Sequence, residues 1–144
     1  KYKQGYAPSG IKEVPLEELQ QAADVVSLHL PLTEETRGLA DAQFFEGFAK
    51  PVHFINTARG PILKTDDLLA AMDAGQVLSA GLDVLEYEKS SFTSLFEVEL
   101  PLTLQRLLER DNVLLSPHIA GWTKESFEKM GRGLAAKVLY QARR

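Results

Sequence analysis

The stretch that decides the fold is Val52-His53-Phe54-Ile55-Asn56-Thr57-Ala58-Arg59-Gly60. Its apolar first half stops abruptly at a polar turn, which Pro61 and a helix signal at Thr65 follow. This order predicts a buried parallel strand that leads into a βα loop. Because open α/β sheets bind ligands at the carboxyl ends of their strands, Arg59 is expected to meet a carboxylate or a phosphate. On this stretch alone, a surface arginine paired with a neighbouring acid is an equal alternative.

Two later segments end in the same way. Gly81-Leu82-Asp83-Val84-Leu85-Glu86-Tyr87-Glu88 and Val113-Leu114-Leu115-Ser116-Pro117-His118-Ile119-Ala120-Gly121 are each apolar runs that finish on ionisable residues. Successive parallel strands would therefore deliver Arg59, then Asp83 and Glu88, then His118 to one edge of one sheet. A cation, a carboxylate and an imidazole at one place can bind a carboxylate and transfer a proton.

The rest of the chain alternates between helical and strand patterns, which predicts an α/β fold with a parallel sheet. The predicted strands are 25–30, 52–55, 77–83 and 113–115. The predicted helices are 15–23, one capped by Asp41, one from Thr65 that Gly75 stops, 104–110, and a last helix capped by Thr123. The apolar stripe of that last helix, Phe127, Met130, Leu134 and Val138, is expected to lie in a core.

Composition narrows the function classes. The 144 residues carry a formal net charge of −4 with mixed signs, which argues against a nucleic acid as partner. No apolar run approaches the about 20 residues that span a bilayer, so no membrane partner is expected. The chain has no cysteine and no visible signal peptide, and a cytoplasmic location is the default expectation.

These motifs carry a family resemblance. Asn56 to Gly60, Gly81 to Val84 with Glu88 five residues after Asp83, Ser116 to Gly121, and His29 to Thr33 upstream resemble the nicotinamide-binding domain of the D-2-hydroxyacid dehydrogenases, phosphoglycerate dehydrogenase-like branch. The resemblance runs from about Ala23 to the C-terminus. It implies reversible hydride transfer between a nicotinamide and C2 of a 2-hydroxy or 2-oxo acid.

The resemblance also implies residue roles. Arg59 would bind the substrate carboxylate, His118 would move the hydroxyl proton, and Glu88 would bond the far imidazole nitrogen. Glu86 competes with Glu88 for that last role, because an insertion and Lys89 follow Glu88 where the family often has a proline. The cofactor would be NAD, with NADP not excluded, and no metal is expected. Its contacts would be His29, Leu30, Pro31, Thr57, Ala58, Arg59, Asp83, His118, Ile119, Ala120 and Gly121, with Asp83 holding the nicotinamide amide.

An alternative reading is a binding module. Relatives with the same Arg, Glu and His serve as nicotinamide-sensing transcriptional corepressors, so the three residues do not by themselves prove turnover.

When complete, the protein is expected to be a homodimer.

The glycine-rich loop of a dinucleotide domain, G-x-G-x-x-G, does not occur in the 144 residues. The resemblance therefore implies residues 1–144 to be the C-terminal part of a doubly wound domain that lacks its first two strands and the substrate domain. In the order 3-2-1-4-5-6, the missing strands would separate Leu28 from Ile55. On that basis the chain alone is expected neither to be a stable monomer nor to bind a dinucleotide.

Overall fold

The computed structural model describes residues 8–87 and 100–142, and within them the sheet has four parallel strands. In spatial order these are β1 (Val25–Leu28), β2 (Val52–Asn56), β3 (Val77–Leu82) and β4 (Val113–Leu115). The helices are α1 (Leu16–Ala22), α2 (Ala42–Glu46), α3 (Thr65–Asp73), α4 (Leu102–Leu108) and α5 (Lys124–Ala142), with a 3₁₀ turn at Gly60–Ile62. The α/β prediction is confirmed, and all four strands end at one edge because every pairing is parallel.

Local capping chemistry accounts for where the helices begin and end. The Asp41 carboxylate accepts from the Phe44 N–H at 3.0 Å, and the Thr123 hydroxyl accepts from the Ser126 N–H at 3.1 Å, so both predicted caps are confirmed. Gly75 follows α3 with a φ of 75°, which glycine adopts at little cost. Helix α4 begins two residues before its predicted start, because the carbonyl of Pro101 already accepts the Leu104 N–H.

The hydrophobic core lies between one face of the sheet and helices α2 to α4. Phe45 of α2 contacts Phe54 of β2 edge to face, with ring centroids 5.3 Å apart. Leu68 and Leu69 of α3 and Leu107 of α4 are buried in the same cluster. Helices α2, α3 and α4 each connect one strand to the next. The loops that lead from the strands into these connections lie at the carboxyl edge of the sheet.

The predicted gap in the sheet is wrong. Strand β1 pairs with β2 over its full length, with Ser27 opposite Ile55 and Leu28 opposite Asn56. The segment that contains α2 makes one crossover to the adjacent strand, and consecutive strands are neighbours in about two-thirds of cases. Among the described strands, the bare edges are therefore the outer edges of β1 and β4.

Within residues 8–87 and 100–142, the second face of the sheet is left largely uncovered. Burial alternates along β2, where His53 and Ile55 are exposed, so this strand is buried on one face only and not on both. Ile55, Gly81 and Leu114 form one row across this face, and Leu114 is 74% exposed. The apolar stripe of α5 is also at least 57% exposed, which corrects its expected place in a core. The core of the described residues is filled by α2 to α4 and includes no α5 side chain.

No helix among the described residues is both long and apolar enough to cross a membrane.

We predict that the 144-residue chain alone self-associates, because two apolar surfaces are exposed to water. These surfaces are the second face of the sheet and the apolar stripe of α5. Sedimentation velocity should show species larger than 16.0 kDa at micromolar concentration. Leu114→Glu combined with Leu134→Glu should shift the distribution toward the monomer. Leu102→Glu, at a 77% exposed position on α4, is the matched control and should not. A wild-type chain that stays monomeric and melts cooperatively would contradict the prediction.

Candidate functional site at the carboxyl edge of the sheet

The Arg59 turn is built around the side chain of Asn56, which ends β2 and is fully buried. Its Oδ1 accepts from the Ala58 N–H at 3.0 Å, and its Nδ2 donates to the Arg59 carbonyl at 3.2 Å. Asparagine closes turns in this way because its amide replaces backbone partners. The result is a turn of fixed shape that leaves the Arg59 side chain exposed at the carboxyl edge.

Among the described residues, the guanidinium of Arg59 contacts one main-chain carbonyl. Its Nη1 donates to the Ala58 carbonyl at 2.6 Å. Within residues 8–87 and 100–142 no carboxylate forms an ion pair with it, so the surface-pair alternative gains no support there. A guanidinium has five N–H donors in a fork that matches a carboxylate, so one backbone contact leaves that fork usable.

A cavity of about 550 Å³ opens beside this turn. It lies between the residues that follow β1 and those that follow β2, and its lining is His29, Leu30, Pro31, Leu32, Thr57, Ala58 and Arg59. Its volume falls within the range of about 300–1,000 Å³ that is usual for small-molecule sites. Six of the predicted cofactor contacts are thus brought together. Leu32 is an additional lining residue, which its place in the His29 to Thr33 motif could have indicated.

A second group of contacts centres on Asp83, which directly follows β3 and is only 4% exposed. Its Oδ1 accepts from the Ser116 hydroxyl at 2.6 Å and from the Ile119 N–H at 2.8 Å. Its Oδ2 accepts from the Ala120 N–H at 3.0 Å. Asp83 therefore ties the loop after β4 to the end of β3, a task that the sequence did not reveal. Whether it also holds a nicotinamide amide stays a prediction.

The pKa of Asp83 is set by two opposing effects. Burial raises it, but the hydrogen bonds from Ser116, Ala120 and Ile119 and the charge of His118 together lower the pKa below its ordinary 3.8. The carboxylate is therefore ionised at neutral pH despite its burial. A charged acceptor strengthens each of these bonds, so the loop is held more firmly than neutral partners would hold it.

His118 has a left-handed backbone, with a φ of 56°. Its N–H donates to the carbonyl of Asp83 at 2.9 Å and to that of Ser116 at 3.0 Å. A side-chain-bearing residue in this conformation costs on the order of 1 kcal/mol, and such strain concentrates at functional sites. The main chain of Asp83 thus helps to hold His118 in place while the Asp83 carboxylate holds the residues beside it.

The Arg59 turn and the group of contacts centred on Asp83 are neighbours on the sheet. Asn56, Leu82 and Leu115 lie side by side at the ends of β2, β3 and β4, and the Asp83 N–H donates to the Asn56 carbonyl at 3.0 Å. Two strand spacings are about 10 Å, so the loops of Arg59 and His118 begin about that far apart, with Asp83 between them. This spacing suits a small ligand held between a cation and an imidazole.

The remaining predicted residues have different positions. Glu88 lies outside the described residues. Glu86 is bonded to the Thr65 N–H at 2.8 Å through its Oε2, at the start of α3. Gly121 is exposed just beyond the Asp83 contacts. The anchoring roles of Asn56 and Ser116 were not predicted from the sequence, although both residues lie inside the motifs that carry the resemblance.

Comparison with known proteins agrees with this geometry. Residues 1–120 match the family model described as D-isomer specific 2-hydroxyacid dehydrogenase, NAD binding domain. The chain belongs to this family. It is 38% identical over 125 residues to the glyoxylate reductase of Thermofilum pendens, a match that covers 86% of this chain and 33% of the relative. It is 35% identical over 139 residues to D-3-phosphoglycerate dehydrogenase 2, chloroplastic, of Arabidopsis thaliana, covering 92% of this chain and 20% of the relative.

Solved structures show the same fold. The D-lactate dehydrogenase of Aquifex aeolicus complexed with NAD and lactic acid superposes with a TM-score of 0.71 at 35% identity, over 88% of this chain and 39% of that one. The chain thus spans between a fifth and two-fifths of the length of these relatives. The resemblance inferred from the motifs is confirmed at the level of the family and its NAD-binding domain. Relatives with different substrates lie at similar identity, so membership of the phosphoglycerate dehydrogenase-like branch stays a prediction.

We predict that Asp83→Asn frees the loop after β4, because an amide NH₂ would face the Ala120 N–H. Trp122 is the only tryptophan, and its main-chain N–H donates to the Ile119 carbonyl at 2.8 Å, so its fluorescence anisotropy reports on this loop. Anisotropy should fall in Asp83→Asn at pH 7 and stay unchanged in Asp66→Asn, whose carboxylate contacts Thr103 instead.

The Asp83 contacts that tether the loop after β4 should also depend on pH. A lowered folded pKa means that the stabilisation is complete above the unfolded value of 3.8 and is lost as the pH falls through the lower folded pKa. Wild-type anisotropy should therefore drop only below about pH 3.8. If Asp83→Asn keeps both the wild-type anisotropy and this acid transition, the tether does not control the loop.

Proposed function

We propose that the protein of which this chain forms the NAD-binding part is a D-2-hydroxyacid dehydrogenase that interconverts a 2-hydroxy acid and its 2-oxo acid. The single observation that carries the proposal is the row at the carboxyl edge, where Arg59, Asp83 and His118 follow adjacent parallel strands. Topology alone brings them together, since each is contributed by a different strand end.

The residues fit a nicotinamide cofactor. The cavity that His29 to Leu32 and Thr57 to Arg59 line is open at the carboxyl edge, where dinucleotides bind in such sheets. A bound nicotinamide would supply the hydride chemistry, for which the side chains named here have no equivalent. NAD is the proposed cofactor, and NADP is an outcome that a direct comparison of the two would reveal.

Arg59 is proposed to bind the substrate carboxylate. Its main chain is fixed by Asn56, and its side chain is exposed with donors to spare. A carboxylate held by the fork of a guanidinium has one orientation, which places C2 of the acid at a defined point. The positive charge also polarises the adjacent carbonyl in the reduction direction.

His118 is proposed to accept the hydroxyl proton during oxidation and to return it during reduction. Histidine suits this role because it changes charge near neutral pH. Glu88 is proposed to bond the second ring nitrogen and fix the tautomer. The contact between Glu86 and α3 supports this choice, because the competing carboxylate already has a partner.

Turnover separates this enzyme from a nicotinamide sensor. The complete protein should oxidise NADH in the presence of glyoxylate, hydroxypyruvate, phosphohydroxypyruvate or pyruvate, followed at the nicotinamide absorbance. Tight cofactor binding without turnover of any of these acids would favour the sensor. The homodimer and the cytoplasmic location stay predictions.

We predict that Arg59→Lys in the complete protein lowers kcat/KM by about tenfold to a hundredfold, mainly through KM for the 2-oxo acid. Losing a charge-assisted pair of hydrogen bonds costs about 1.5–3 kcal/mol, and a lysine cannot reproduce the fork. Cofactor affinity, measured by calorimetry, should be nearly unchanged. Arg106→Lys on α4 is the control. An equal loss of cofactor affinity in Arg59→Lys would show that Arg59 holds the dinucleotide instead.

We predict that His118→Asn slows the chemical step by about 10²- to 10⁴-fold, which is the usual contribution of a general acid or base. Asparagine is chosen because it tolerates the left-handed backbone of this position. Single-turnover kinetics should show the loss, with cofactor binding kept within a few-fold. His53→Asn, on the uncovered face of the sheet and bonded to Ser79, should behave as wild type. A His118→Asn variant with wild-type single turnover would remove His118 from the reaction.

A further inference from the structure

The segment that follows Arg59 is held at its two ends by two consecutive residues of the loop after β3, Leu85 and Glu86. At its start, Gly60 packs against the main chain of Leu85 so closely that an added Cβ would lie 1.8 Å from the Leu85 carbonyl oxygen. At its end, the Thr65 N–H donates to Glu86 Oε2 at 2.8 Å. The 3₁₀ turn between these contacts therefore cannot move without Leu85 and Glu86.

The contact at Gly60 alone does not hold the segment. A close approach of two main chains is van der Waals packing, which resists compression but not separation. The Glu86 bond resists separation, because breaking it would leave the N–H of the first residue of α3 without its acceptor. Thr65 is 2% exposed, so water could not readily replace Glu86 there.

The nearby acids have other partners. Asp66 accepts from the Thr103 hydroxyl at 2.9 Å, and Asp67 accepts from the Ala42 N–H at 3.1 Å. Lys64, at the N-cap position of α3, makes no side-chain cap bond. Within the described part of the chain, Glu86 is therefore the side chain that closes the first turn of α3 against the loop after β3.

From these contacts we infer that Glu86 is a positioning residue for Arg59: Asn56 fixes the turn that leads to Arg59, and Glu86 holds the segment that follows Arg59 against the loop after β3. The inference rests on the proposed function, since it gives Glu86 a role through Arg59 and not on substrate. It also separates the two carboxylates by task. Glu86 fixes the geometry of the substrate-carboxylate site, and Glu88 remains the proposed partner of His118.

The test compares Glu86→Ala, Glu86→Gln, Asp67→Ala and Glu88→Gln in the complete protein. Glu86→Ala should raise KM for glyoxylate at least fivefold, with the pH profile of kcat unchanged. Glu86→Gln should restore KM to within about twofold, because its amide oxygen can still accept the Thr65 N–H. Asp67→Ala, which removes an acceptor at the same helix end without touching the Arg59 segment, should lower Tm but leave KM alone. Glu88→Gln should shift the pH profile.

A readout that needs no turnover accompanies the kinetics. Amide hydrogen exchange at Thr65 should accelerate in Glu86→Ala and stay slow in Glu86→Gln. If the protein turns nothing over but this exchange pattern appears, the contact is real and the proposed function has failed. If Glu86→Ala lowers Tm with KM unchanged, Glu86 is only a helix cap and the inference is overturned. A pH profile shifted by Glu86→Gln as much as by Glu88→Gln would instead make Glu86 the partner of His118.

Discussion

The geometry of the site depends on one buried charge. The Asp83 carboxylate sits at the end of β3 with almost no solvent contact, a position that disfavours ionisation unless donors surround it. The loop after β4 supplies those donors from Ser116, Ile119 and Ala120, and the loop is in turn fixed by them. His118 lies in the middle of that loop, and its main-chain N–H also donates to the Asp83 carbonyl, so contacts with Asp83 are made by His118 and by the residues on both sides of it.

Asn56, one strand away from Asp83, is a second buried polar side chain whose hydrogen-bonding groups are satisfied by the loop that follows it. It is fully buried, and its amide is satisfied only if the chain turns back at Ala58 and Arg59. A buried polar side chain thus specifies each loop more sharply than an apolar one could, since an apolar contact tolerates several geometries and a hydrogen bond does not. Both polar groups sit on adjacent strands, so the rigidity of the sheet is passed to the two loops that carry the proposed chemistry.

The sequence predicted the features that local chemistry determines. Asp41 and Thr123 were correctly assigned as caps, since a cap needs only a side chain three residues from an N–H. The strand positions followed from short apolar runs. Two predictions about burial were wrong, namely that both faces of β2 are buried and that the α5 stripe lies in a core. Ile55 and the α5 stripe are apolar, but a pattern cannot say which surface packs against them. The place of β1 beside β2 was missed for the same reason, as strand order depends on long-range pairing. The anchoring roles of Asn56 and Glu86 were not predicted, because their hydrogen-bond partners are main-chain atoms, which every sequence contains.

The exposed face of the sheet and the site lie at different places and depend on different interactions. The bonds that hold Arg59 and His118 run along the carboxyl edge, between residues of β2, β3, β4 and the loops that follow them. The exposed row of Ile55, Gly81 and Leu114 lies on a face of the sheet, and neither the Ile55 nor the Leu114 side chain takes part in those bonds. Covering that face would add stability by removing apolar area from water. It would not be needed to shape the two loops. The internal geometry of the site therefore does not depend on what covers the face that is exposed among the described residues.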